Sequence, residues 1–183
     1  MSEKKMANPG PLGLLGFGMT TILLNLHNSD IISLSTVIVS MGIALGGLAQ
    51  VIAGVRELKQ GNTFGGTAFT AYGLFWWSLV LIWANPFDLQ TADATSMGFY
   101  LLLWGIFTLF MFIGTFKHNI ATRVVFGSLT VLFMLLAAGD FAENHVVTNI
   151  AGYVGIFCGA SAVYSAMGQV LNAEYGKTIL PLG

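Results

Sequence analysis

Apolar residues run along this chain in six long blocks, separated by short polar stretches. Residues 6–29, 31–55, 60–87, 94–116, 124–139 and 144–173 contain no Asp, Glu, Lys or Arg. A membrane-crossing helix needs about 20 mostly apolar residues, and five of the blocks meet that length. The fifth, Val124 to Gly139, has only 16, and it lengthens if Arg123 reaches outward from the membrane interface. The runs are continuous and do not alternate in ten-residue units, which favours helices over a barrel, the other backbone-satisfied way to span lipid. The expected fold is an all-α integral membrane protein, a six-transmembrane-helix bundle forming a single membrane domain over residues 1–183. The predicted helices cover about 9–28, 32–55, 64–84, 97–116, 121–139 and 148–171.

Composition agrees. The chain is 55% hydrophobic and 8% charged, with a net charge of −1, whereas soluble domains carry about 25% charged residues. There are too few charges to cover a water-facing surface, and no basic footprint for nucleic acid. The one cysteine, Cys158, lies in an apolar stretch and can form no intrachain disulfide. Lys4 and Lys5 are followed by Asn8-Pro9-Gly10-Pro11, which is not the apolar core of a cleavable signal.

The positive charges assign an orientation. Lys4, Lys5, Arg56, Lys59, Lys117, Arg123 and Lys177 all fall on one side of a six-helix serpentine. The other side carries Asp30, Asp88, Asp93, Asp140 and Glu143. The positive-inside rule then predicts that both termini are cytoplasmic.

Candidate chemistry inside the spans is neutral. No carboxylate or cation is expected within the core of a span, no His/Cys set has zinc spacing, and the Asp140, Glu143, His145 group reads as solvated loop charge. An enzyme, a catalytic residue, a metal and a cofactor are therefore not expected. In the first helix Gly13, Phe17, Thr21 and Asn25 share a face at four-residue spacing, with Asn28 three further on. Gly42, Gly46, Gln50 and Gly54 do so in the second, and Phe69, Tyr72, Gly73 and Trp76 in the third. The last helix has a small-residue stripe through Gly152, Gly155, Gly159, Ala162, Ala166 and Gln169. Small residues let helices approach, and buried amides bond between helices. Asn25 and Gln50 fit that role or the lining of a polar path equally well. Asn8 and Pro9 suit a helix start, and Pro11 still falls in a first turn where its missing N–H does no harm.

The run Asn8-Pro9-Gly10-Pro11-Leu12-Gly13-Leu14, followed by Gly16-Phe17-Gly18-Met19-Thr20-Thr21, resembles the signature of the acetate uptake transporter family, whose bacterial members are the succinate–acetate permeases. Further similar blocks are Gly46-Gly47 with Gln50, Gly61-Asn62-Thr63-Phe64-Gly65, Tyr72-Gly73, Ser128 to Phe133, and Cys158 to Ala162. Gly10 stands where the family usually has alanine. The resemblance implies passage of acetate and succinate by six-helix protomers assembled as a homo-hexamer in the prokaryotic inner membrane. It implies a constriction at Phe17, Tyr72 and Leu129, with Gln50 among the lining groups.

Physical chemistry adds Thr20, Thr21, Asn25 and the Tyr72 hydroxyl as neutral donors able to hold a carboxylate without trapping it. With no titratable group expected in a span, any proton would travel with the substrate or through water. Two other classes remain open: a channel for a formate-like anion or neutral molecule, and a non-transporting assembly protein whose glycine stripes serve only partner helices.

Overall fold

The computed structural model describes residues 6–183; Lys4 and Lys5, two of the orienting cations, lie outside them. All regular structure among the described residues is helical. The elements are α1 (Gly10–Asn28), α2 (Thr36–Met41), a π-helical stretch (Gly42–Ala49), α3 (Gln50–Lys59), α4 (Thr63–Ala84), α5 (Ala94–Gly114), α6 (Ile120–Phe141) and α7 (His145–Tyr175), with a 3₁₀ turn at Thr115–Lys117. The second rod runs unbroken from Thr36 to Lys59, so the elements form six rods.

Side-chain polarity is inverted relative to a water-soluble protein. Leu103, Phe110, Phe157 and Val131 face outward, while Thr20, Thr21, Asn25, Gln50, Thr108 and Ser165 are buried. Outward hydrocarbon and inward amides and hydroxyls suit a lipid solvent. Five rods are long and apolar enough to cross a membrane. α1 is not among them, having Asn25, His27 and Asn28 in its last turns. The protein is a multi-pass membrane protein.

α1 packs against α7 and against the second rod; α6 lies between α5 and α7, and α3 lies along α4. The α1–α7 seam is set by glycine. A Cβ on Gly18 would lie 2.7 Å from the Gly159 carbonyl, and one on Gly159 equally close to that of Gly18. Such backbone approach is what small residues permit between helices in lipid.

Side-chain caps fix several rod starts. Asn62 accepts the Gly65 N–H at 3.0 Å, Asn119 that of Thr122 at 2.9 Å, and Asp93 that of Ser96 at 2.6 Å. The short fifth block gains its length at both ends. Arg123 enters the first turn of α6 and donates to the carbonyls of His118 and Phe116, and Asp140 enters the last turn. Asp140 is therefore a helix residue where a loop was expected. The second rod starts four residues later than the predicted 32 and ends four beyond 55. That shift takes Glu57 into a span, and Glu57 is buried. Glu57 lies in the last turn of the rod, outside its core; the predicted end at 55 puts it in a loop.

Candidate functional site

The π-helical stretch sits where the second rod packs against α1 and α4. A π turn carries an extra residue and is common at functional sites. Here Trp77 Nε1 donates to the Ile43 carbonyl at 3.0 Å, and Gly46 lies so close under the Trp76 indole that a Cβ would meet it at 2.8 Å. Gln50, the first residue after the stretch, is 1% exposed, and neither its Nε2 nor its Oε1 has a partner among the described residues.

Gln50 faces a small cavity lined also by Leu14, Phe17, Phe69, Tyr72 and Leu129. A second cavity, lined by Thr21, Asn25 and Trp76, meets the first at Phe17, Tyr72 and Leu129. The three residues assigned to a constriction, from α1, α4 and α6, thus form the wall between two chambers. The Phe17 and Tyr72 ring centroids are 6.1 Å apart. The chambers offer about 20 and 30 Å³ to the centre of a water molecule, and about 10–15 Å³ is needed for one water. Each holds about one or two waters, so anything larger requires the rings to move.

Unpartnered polar atoms gather at these chambers. Of the six buried side-chain N and O atoms without a partner among the described residues, four belong to Thr21, Gln50 and Trp76. A buried polar group without a hydrogen bond costs about 1–3 kcal/mol. A water or another polar guest in the chambers would supply the partners these atoms lack.

The other expected donors are disposed differently. Thr20 lines neither chamber and donates to the Met41 carbonyl at 3.4 Å. The Tyr72 hydroxyl lies 2.9 Å from Thr108 Oγ1, so Tyr72 presents its ring to the wall and not its phenol. Asn25 is half engaged. Its Nδ2 donates to the Thr21 carbonyl at 2.9 Å and its Oδ1 accepts from Asn28 at 3.1 Å. Trp76, placed by sequence on one helix face with Tyr72, lines the second chamber and has an unpartnered indole N–H. Its place one helical turn after Tyr72 was the signal.

A wider vestibule of about 210 Å³ opens at the end of the bundle where α1 begins, and it shares Leu14, Ala68, Phe69 and Phe126 with the first chamber. Its rim is polar: Asn8, Glu57, Asn62, His118, Asn119 and Gln169. Asn8 Oδ1 accepts the Gly10 N–H at 2.9 Å, and Asn8 Nδ2 donates to Gln169 Oε1 at 2.9 Å. Pro9 precedes the first helical residue, and Pro11 is the second. Gly13 is obligatory: a Cβ would lie 2.5 Å from the Phe69 ring, between vestibule and chamber. The signature motif thus shapes this mouth. α1, α4 and α6 all begin on it, each bringing the positive end of a helix dipole. Glu57, Asn62, His118 and Asn119 were not singled out in the sequence as site residues, although the caps Asn62 and Asn119 follow charged turns.

Compared with known proteins, residues 1–181 match the model of the GPR1/FUN34/yaaH family. The chain belongs to this family. Among GPR1/FUN34/yaaH relatives, it is 56% identical to the succinate-acetate/proton symporter SatP of Escherichia coli (strain K12), over 100% of this chain and 98% of that one. It is 31% identical to acetate permease A of Emericella nidulans, over 100% of this chain and 67% of that one. The solved structure of the bacterial acetate channel SatP superposes with a TM-score of 0.96 at 56% identity, covering 98% of this chain and 100% of that one.

Proposed function

We propose that the chain passes acetate and related short carboxylates, succinate among them, through the vestibule and the two chambers. Passage is narrowed by Phe17, Tyr72 and Leu129, and the protein is a single membrane domain with both termini cytoplasmic. It works in the prokaryotic inner membrane, and six copies assemble, each with its own path. The observation that carries this reading is the set of unpartnered donors on Gln50, Thr21 and Trp76 flanking one apolar wall.

A carboxylic acid with a pKa near 4 is almost wholly ionised at neutral pH. It needs donors along its route, but shallow ones, because conduction requires release as well as entry. Amide, indole and hydroxyl groups give hydrogen bonds to a charged partner of about 1.5–3 kcal/mol each. Among the described residues no lysine or arginine lines the chambers, where it would hold an anion tightly. The apolar wall then admits a methyl end and resists larger hydrated anions.

An interior-negative potential opposes anion entry by about 2.3 kcal/mol per 100 mV, so accumulation needs a proton or consumption of the acid inside. The test is flux into proteoliposomes of acetate, lactate, glycerol and ammonium. Acetate exceeding the others supports the proposal. Glycerol or ammonium exceeding acetate would make this a different channel, and no flux would leave an assembly role.

A further inference from the structure

We propose that Glu57 is the group that ties proton movement to carboxylate passage, by sharing one proton with the substrate's carboxylate at the vestibule; this rests on the transport reading above. Glu57 is 5% exposed, yet it lines the vestibule through which the first chamber is reached. Asn62 Nδ2 donates to its Oε2 at 2.7 Å. Its Oε1 points toward the start of α1, 3.6 Å from where a Cβ on Gly10 would sit, and Gln169 Oε1 lies 3.3 Å from that same point. Glu57 thus stands where a substrate between Asn8, Gly10 and Gln169 would meet it.

Among the described residues, the groups facing Glu57 are almost all neutral. α1 presents Gly10 with Asn8 before it, α4 presents Gly65 with its cap Asn62, the start of α6 presents Asn119 and Thr122, and α7 presents Gln169. Among the described residues, His118 is the one other titratable group lining the vestibule. Arg56 and Lys59, on the same helix as Glu57, are exposed. Among the described residues the one ion pair is Asp30 with His145, at the other end of α1.

Two carboxylates brought together in a partly dry site do not both ionise, and the pair retains one proton. A bare anion is therefore repelled by Glu57, while an anion arriving with a proton forms an O–H···O pair bearing one negative charge. The starts of α1, α4 and α6 stabilise that charge. One proton enters with the carboxylate, is shared with Glu57 and leaves with the carboxylate, so Glu57 ends as it began. A monocarboxylate then passes electroneutrally, with local movement of the constriction rings in place of an alternating-access cycle, which reconciles a relative named a proton symporter with one named a channel.

The test uses the full chain in proteoliposomes with radiolabelled succinate, which crosses lipid slowly, and a trapped pH dye. Protein-free vesicles supply the baseline. Wild-type flux is expected to acidify the lumen in fixed ratio to succinate. Glu57→Gln is expected to carry succinate above the baseline with that ratio lowered about fivefold or more, and to respond more steeply than wild type to an imposed potassium diffusion potential, because a succinate dianion crossing with a proton carries one net charge and without it two. Glu57→Asp is expected to keep the coupling. An unchanged ratio in a folded Glu57→Gln overturns the proposal, as does a folded Glu57→Gln without flux, which would make the residue structural. If Glu57→Gln does not fold, the wild type decides: succinate entry without acidification overturns coupling. No wild-type flux overturns the transport reading itself, and coupling with it.

Discussion

Tyr72 gives its phenolic proton to Thr108 Oγ1 across 2.9 Å, because the Thr108 proton is already committed to the Trp104 carbonyl at 2.7 Å. This chain of bonds ties α4 to α5 and holds the Tyr72 ring flat against the wall shared by the two chambers. Thr108→Val strands a buried phenol without an acceptor and is expected to cost about 1–3 kcal/mol. Tyr72→Phe removes the donor itself and should cost less. Thermal unfolding in detergent checks the order, and a larger loss in Tyr72→Phe would mean that the ring is held by something else.

Gln50 separates a structural amide from a lining one. Its side chain bonds nothing among the described residues, so Gln50→Leu removes an unsatisfied group while keeping bulk. The thermal midpoint should hold or rise, while acetate flux should drop about tenfold as a charge-assisted bond is lost. A falling midpoint would indicate that the amide serves packing.

Gly155 lies against the Asn25 amide, with no room for a Cβ. Gly155→Ala forces α7 away from α1 or turns Asn25 out of its bonds with Thr21 and Asn28. Overpacking of this kind costs about 1–3 kcal/mol, and the midpoint in detergent should fall accordingly. Ala166, lower on the same stripe, is already accommodated as alanine and buried.

At the other end of α1, Asp30 accepts from His145 at 2.9 Å and from Asn149 at 3.0 Å, clasping the first loop to the start of α7. The bond from His145, then that from Asn149, holds the Asp30 carboxyl below the usual carboxylate range. A lowered acid stabilises the folded state above its unfolded value, about 3.9, and that support is lost as pH falls through the lower folded value. Midpoints measured on acidification should therefore decline in wild type and decline less steeply in Asp30→Asn. Parallel curves would remove the clasp from the acid response.

Much of this molecule was legible in the order of its residues. The charge-free blocks announced the rods because lipid excludes charge, while helical spacing gave Phe17 and Tyr72 only a shared face with polar neighbours and the family resemblance singled them out. What stayed hidden depended on how helices end and meet. Arg123 sits inside α6 because its long amphiphilic side chain can reach out of the helix toward water, and Asp140 sits in the last turn, so a charge does not mark the boundary. Glu57 reads as a loop-end charge, and only the extension of the second rod to Lys59 turns it inward. The π-helical stretch has no marker in a run of Gly, Ala, Leu and Ile. Thr20 and Thr21 are adjacent and alike, yet a helix turns about 100° per residue, which sends one to Met41 and the other to the chamber.

The wall at Phe17, Tyr72 and Leu129 is tested most directly by the lactate-to-acetate flux ratio of Leu129→Ala in proteoliposomes. Shortening this one buried side chain opens the narrowest point without touching a polar group. The ratio is expected to rise about tenfold, a barrier change of roughly 1.4 kcal/mol. A folded Leu129→Ala with the wild-type ratio would place the route of the carboxylate elsewhere in the protein.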